Sequence, residues 1–287
     1  MIRLEFSINL NYEIDSPGSD FIFIIQASQT NHQFIVSESL SVNQDIPLGS
    51  YIDKRTHLRL LRLRGMPGIL NLAYACVVDL DHYTAIPSQI YETPISDLPG
   101  EILIYLYPSR YCQSDFIKDI AVKTFGNMIH GYSRVQAIQD WVTNHVRFCN
   151  NTSTEHTTAI DTYLSKTGVC RDFAHLMIAL CRALNIPARF VTGIDYGSDP
   201  MLGPTDFHAY VEVYLDGRWY IFDPSGIAIP MGFVRLGTGR DAADTSIATI
   251  FGSVRGSTPI VSIKAIPNAL GVVLIPEHVS RAISTDK

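Results

Sequence analysis

The stretch TGVCRDFAHLMIALCRALNIPARF, residues 167–190, carries the pattern from which the fold is read. From Cys170 to Leu184, the residues Phe173, Leu176, Met177, Leu180 and Leu184 recur at steps of three and four. This predicts an amphipathic helix with a wide buried stripe. Asn185 and Pro187 stop it, and ARFVTGID (188–195) reads as the strand that follows. Cys170 opens the helix. Unpaired N–H groups and a partial positive charge gather there, and both stabilise a thiolate. Arg171 adds a cation beside it. The same N–H groups are suited to a tetrahedral oxyanion, and Gly168 allows close approach of the backbone. Cys181, deep in the helix, lacks these features and reads as a small core residue.

Downstream, DFHAYVEVYLDGRWYIFDPSG (206–226) predicts two strands joined at Asp216-Gly217, a strong hairpin signal. A two-residue loop sets Leu215 opposite Arg218, Tyr214 opposite Trp219 and Tyr210 opposite Asp223. Asp223 is then the diagonal neighbour of His208 on one sheet face, and a slip of one residue would separate them. In such a pair the carboxylate fixes the imidazole tautomer, and the imidazole serves a nucleophile as base and then as acid. The spacing does not by itself bring Cys170 to this pair.

Upstream, the chain changes character. Residues 1–108 read as a β-rich unit, with FIFIIQ, HQFIVSESLSV, HLRLLRLRG, ILNLAYACVVDLDHY and EILIYLYP as strand-like runs between turn residues. Their spacing suggests a sandwich. In HLRLLRLRG, Leu58, Leu60 and Leu63 are expected inward and Arg59, Arg62 and Arg64 outward. NLAYACVVDLDHY alternates poorly and is expected to be buried on both faces. Residues 109–287 read as a helical segment, then the helix–sheet unit, then a C-terminal extension. DFIKDIAVKTFG is expected to bury Phe116, Ile117 and Ile120 behind a Ser114 or Asp115 cap.

Composition narrows the function classes. Of 287 residues, 46% are hydrophobic and 17% charged, which supports real cores and argues against disorder. The net charge is −6 and no basic stripe exists, so nucleic acid is not an expected partner. No apolar run is long enough for a transmembrane helix, and the start MIRLEFSINLNYEID lacks signal-peptide features, so neither a membrane nor export is expected. Five cysteines without regular spacing read as reduced thiols of a cytoplasmic protein. No motif gathers three or four metal ligands, so neither metal nor cofactor is expected. His175, five residues past Cys170, faces elsewhere.

The four separated motifs Gly168-Val169-Cys170-Arg171-Asp172, Ile186-Pro187-Ala188-Arg189, Phe207-His208-Ala209-Tyr210-Val211-Glu212-Val213, and Trp219 with Asp223-Pro224 resemble those of the transglutaminase-like superfamily, in its order. The resemblance spans roughly residues 114–226. It implies an α+β fold: an N-terminal β-sandwich followed by a papain-like domain with a helix packed on an antiparallel sheet. It implies Cys170 as nucleophile, His208 as base and Asp223 as orienter. The N-terminal β segment and GRDAADTSIATIFG also look like those of bacterial members. Phe148 stands where many relatives carry Tyr, which leaves the second oxyanion donor open. Arg171 is a cleft candidate; Asp206 either shapes the substrate mouth or, as favoured, caps a turn; Arg240 and Asp241 either close one side of the cleft or form a structural pair. Trp141 is a cleft candidate with the core as alternative. The expected activity is thiol-dependent hydrolysis of an amide in a peptide or protein substrate. The alternatives are amine transfer or deamidation on the same triad, small-molecule acyl transfer as in arylamine N-acetyltransferases, and an inactive peptide-binding module.

Overall fold

Period-2 alternation builds the first unit. In a computed structural model, which describes residues 1–197 and 205–286, strand β1 (Ile2–Ile14) turns Ile2, Leu4, Phe6, Ile8 and Leu10 inward and their neighbours outward. It is followed by β2 (Ser19–Phe23), β3 (Gln33–Val42), β4 (Gly49–Ile52), β5 (Arg59–Gly65), β6 (Gly68–Leu80) and β7 (Tyr83–Ala85). One sheet carries β1, β6 and β3 side by side, and a second carries β2, β5 and β4. Phe6, Leu72 and Val78 from the first share a core with Phe21, Phe23 and Leu61 from the second.

Three expectations are corrected here. Strand β6 alternates cleanly: Leu70, Leu72, Tyr74, Cys76 and Val78 face the core, while Asn71, Ala73 and Ala75 do not. At the end of the strand Val78, Asp79 and Leu80 are buried in succession, so both faces are covered only there. In β5 the inward residues are Leu61 and Leu63, and Leu60 lies on the face of the exposed Arg62 and Arg64. Pairing of Leu61 with Phe23 and Leu63 with Phe21 fixes that parity. Arg59, on the inward parity, is held by Glu38 at 2.7 Å. EILIYLYP forms a 3-10 turn over Leu103–Leu106; its Tyr105 and the preceding Ile102 pack in one cluster with Trp219.

The second unit begins with α1 (Lys118–Phe125) and α2 (Tyr132–His145). Ile117, Ala121 and Phe125 face inward on and beside α1; Phe116 is 77% exposed, and no side chain caps the helix, both unlike the sequence reading. Next come β8 (Arg147–Phe148), α3 (Ala159–Ser165), β9 (Thr167–Gly168) and α4 (Cys170–Ala183). β8 and β9 form a short parallel ladder directly before Cys170. α4 is buried on nearly all sides rather than along one stripe, being enclosed by α1, α2, α3 and a sheet. That sheet has the order β12–β11–β10–β13, from β10 (Ala188–Asp195), β11 (Phe207–Leu215), β12 (Arg218–Phe222) and β13 (Phe233–Gly239). Asp216 and Gly217 both take positive φ (47° and 77°), as a type I′ turn requires. The ladder pairs Leu215 with Arg218, Tyr214 with Trp219 and Val211 with Phe222.

The C-terminal extension returns to the first unit. β14 (Ala248–Phe251) pairs with β2, β15 (Val254–Gly256) and β16 (Ile260–Ala265) pair with successive parts of β1, and β17 (Ala282–Ser284) pairs with β7. Residues grouped by sequence with the second unit thus complete the sandwich, because long β1 has a free edge opposite β6. Ile194, Val234 and Leu236 of the second sheet also enter the sandwich core. Among the described residues, no helix is long and apolar enough to cross a membrane.

Candidate active site

The turn before α4 is held tightly. The Asp172 carboxylate, fully buried, accepts from the Val169 N–H at 2.9 Å and from the Ser153 hydroxyl at 2.8 Å. A side chain on Gly168 would bring a Cβ within 2.7 Å of Asp172 Cβ, so this position has no room for one. Cys170 therefore sits on a fixed first turn, at the helix end where N–H groups lack intrahelical acceptors. It is half-buried, as is Cys149, whereas Cys76, Cys112 and Cys181 are buried. Burial pushes the Cys76 thiol up to about 11 and Cys112 up to about 12.

The hairpin register brings His208 and Asp223 together: Nε2 lies 3.3 Å from Asp223 Oδ1, and both residues are about 4% exposed. Asp223 also accepts from the Ser225 hydroxyl at 2.5 Å, the Ser225 N–H at 3.1 Å and the Ala228 N–H at 3.3 Å. Burial would raise its pKa, but the neighbouring imidazolium and these hydrogen bonds hold it below the ordinary carboxylate value. Burial likewise pulls the imidazole of His208 down. The Asp223 charge and hydrogen bond outweigh it, joined by a hydrogen bond and charge from Cys170, and His208 ends well above its ordinary value. Cys170 is thus one of the neighbours that act on the imidazole. With Nε2 turned to Asp223, Nδ1 is the nitrogen left to face Cys170.

The remaining candidates disperse. Arg171 donates to the Ser153 hydroxyl and the Thr154 carbonyl, fastening the loop beside Asp172. Trp141 stacks on His145 at 4.3 Å and meets Phe125 edge-on, within the helical layer. Asp206 accepts from the Phe207 N–H at 2.7 Å, a local turn contact. Asp241 is buried and accepts from the Tyr111 N–H at 2.9 Å, and Arg240 pairs with Asp244 at 2.9 Å. Neither borders His208. Arg240 instead lines a cavity of about 1380 Å³ beside Arg189 and Trp219, whose lining includes none of Cys170, His208 and Asp223. His175 stacks on Tyr111, meets Phe190 at a tilt, and is held neutral by burial. Among the described residues no metal-binding group of His, Cys, Asp and Glu forms. Sequence reasoning missed Asp172 and Ser225 as supporting groups. Asp172, at the third position of the helix, was the readable signal; Ser225, two residues past Asp223, carried none.

A thiol, an imidazole and a buried carboxylate are the parts that nucleophilic acyl transfer requires. The family model of the transglutaminase-like superfamily matches residues 118–224, and that of the bacterial transglutaminase N-terminal domain matches residues 2–101. A candidate cysteine protease from Cytophaga hutchinsonii superposes with a TM-score of 0.90 at 36% identity, covering 99% of this chain and 97% of that one. The chain belongs to the transglutaminase-like superfamily. An uncharacterised protein of Mycobacterium leprae is 30% identical over 44% of this chain and 47% of its own length. One from Bacillus subtilis is 26% identical over 49% of this chain and 22% of its own. The chain thus spans less than half the length of these curated relatives.

Proposed function

We propose that this transglutaminase-like chain is a thiol-dependent amide hydrolase acting on peptide or protein substrates through an acyl-enzyme. The observation that carries the reading is the convergence of Cys170, at a helix start, on an imidazole whose far nitrogen meets a buried carboxylate. In the proposed course, Nδ1 of His208 takes the Cys170 proton and the thiolate attacks the amide carbonyl carbon. Helix N–H groups at the start of α4 receive the oxyanion. Collapse breaks the C–N bond as the imidazolium returns its proton to the leaving amine, giving a thioester. Water, deprotonated by the same imidazole, then attacks the thioester carbonyl and releases the acid and the thiol. Asp223 holds the tautomer and balances the imidazolium charge without accepting its proton.

The match of residues 2–101 to a bacterial transglutaminase N-terminal domain favours a second outcome, in which an amine replaces water as acceptor. Both share the thioester. The test incubates the protein with glutamine-containing peptides and a primary amine, and follows cleavage, ammonia release and amine incorporation by mass spectrometry. Hydrolysis products lost in Cys170→Ala support the proposal. Amine incorporation outrunning them assigns the transferase outcome, and no reaction under any condition, with Cys170 no more reactive than Cys149, defeats both.

A further inference from the structure

The His208–Asp223 contact, at 3.3 Å, is long for a hydrogen bond between charged groups, which prefer about 2.7–2.9 Å. The carboxylate is bound more closely by Ser225 than by the imidazole. A contact of that length defines the plane of the ring only loosely, and a ring stacked on its face defines it more closely. Phe233 does this from two strands away. Its ring stacks on His208 at 5.2 Å and 25°, and on Tyr210 at 4.4 Å and 13°. His208 and Tyr210 project from the same face of β11, two residues apart, so one phenyl ring braces both.

The reach of Phe233 depends on the strand between. Gly193 of β10 pairs with His208 on one side and with Arg235 on the other, and the ladder to β13 shifts register there. A Cβ on Gly193 would lie 3.2 Å from Tyr210 Cε1 and 2.5 Å from the Val234 carbonyl oxygen. A bare backbone at this point lets rings from β11 and β13 meet across β10. Glycine in a strand interior marks such close approaches. Ala228, whose N–H reaches Asp223, belongs to the same small cluster as Phe233 and Tyr210, so the brace also closes over the carboxylate.

We infer that Phe233, reaching over Gly193, is a positioning residue that sets the plane of the His208 imidazole toward both Cys170 and Asp223. This rests on the acyl-enzyme reading above. It adds a residue supplied by β13, which carries none of the three reacting groups. The ring face is what matters: an aliphatic side chain of similar volume fills the space without defining a plane.

The test measures the pH dependence of Cys170 alkylation by iodoacetamide, read by peptide mass spectrometry, in the full chain. Phe233→Leu is expected to slow alkylation about 10- to 100-fold near neutral pH and to move the profile toward that of His208→Ala. Phe233→Tyr, which keeps the ring, is expected to restore the wild-type profile. Val191→Ala, in the same cluster but not stacked on His208, is expected to lower the melting temperature without moving the profile. If Phe233→Leu does not fold, Phe233→Met is read in its place. A Leu or Met profile that overlays wild type overturns the inference, as does a Val191→Ala profile displaced as far as Phe233→Leu. An alkylation profile unchanged in His208→Ala sinks the acyl-enzyme reading itself, and this inference with it.

Discussion

Strand β1 of the sandwich and strand β11 of the second sheet show two ways of using an extended chain. β1 alternates: its inward residues are aliphatic or aromatic, and its outward ones are partly solvated. β11 is buried at every position but its first, and among its buried residues are His208 and Glu212. Hydrophobic burial suffices for the first. The second must pair each polar group, because a buried charge without a partner is strongly destabilising. Glu212 shows the consequence. Fully buried, it bonds Arg189 Nε at 2.7 Å and also pairs with Arg235. Asp286 from the C-terminal tail meets the same two arginines, Arg189 at 2.5 Å and Arg235 at 2.8 Å. Polar burial therefore concentrates in the second unit, where it pairs His208 with Asp223 and welds the tail to the sheet.

The sharpest way to break this contrast is Cys170→Ala. Proposed activity should fall by on the order of 10³-fold or more with the thermal midpoint nearly unchanged, since Cys170 is half-buried at a helix start. Retained turnover would move the chemistry elsewhere. Next in size is Glu212→Ala, which strands Arg189 and Arg235 in the sheet. A loss of about 3–5 kcal/mol by urea denaturation is expected, and a loss below about 1 kcal/mol would mean the network is better solvated than its burial implies. In the sandwich, Leu61→Ala should cost about 2–5 kcal/mol by cavity formation while leaving the Cys170 alkylation profile where it was. A displaced profile would show that the shared core transmits strain between units.

A pH comparison separates the two halves further. The raised pKa of His208 contributes stability that is whole below its ordinary value of 6.5 and disappears as pH rises through the folded value. The lowered pKa of Asp223 contributes stability that is whole above 3.8 and disappears as pH falls through the folded value. Asp223→Asn should therefore destabilise most between about pH 4 and 6.5, and the gap to wild type should close at alkaline pH once His208 is neutral. A pH-independent difference would assign the effect to lost packing. Smallest of all, Arg64→Ala should change stability by less than about 1 kcal/mol, because its pair with Asp20 is about half exposed at both ends.

The sandwich and the site were unequally legible. Helix α4, the Asp216-Gly217 turn and the register that joins His208 to Asp223 follow from local spacing, and the structure reproduces each. The parity of β5 and the one-sided burial of β6 were misread, because Leu-rich runs fit either face until a partner strand selects one. EILIYLYP has strand composition, yet it coils into a 3-10 turn where Trp219 offers Tyr105 an edge-on ring contact at 5.2 Å.

What the sequence determined alone is whatever depends on neighbours within a helix turn or a hairpin: the place of Cys170 at a helix start, and the diagonal of imidazole and carboxylate. Tertiary structure decided the rest. It brought Cys170 to His208 from a separate element. It sent residues 248–265 back to β1 and β2, and Asp286 to Arg189 and Arg235. It also reached Phe233 across Gly193. Those contacts join residues far apart in the chain, and their partners are chosen by the burial and hydrogen bonding of whole elements, which no local period records.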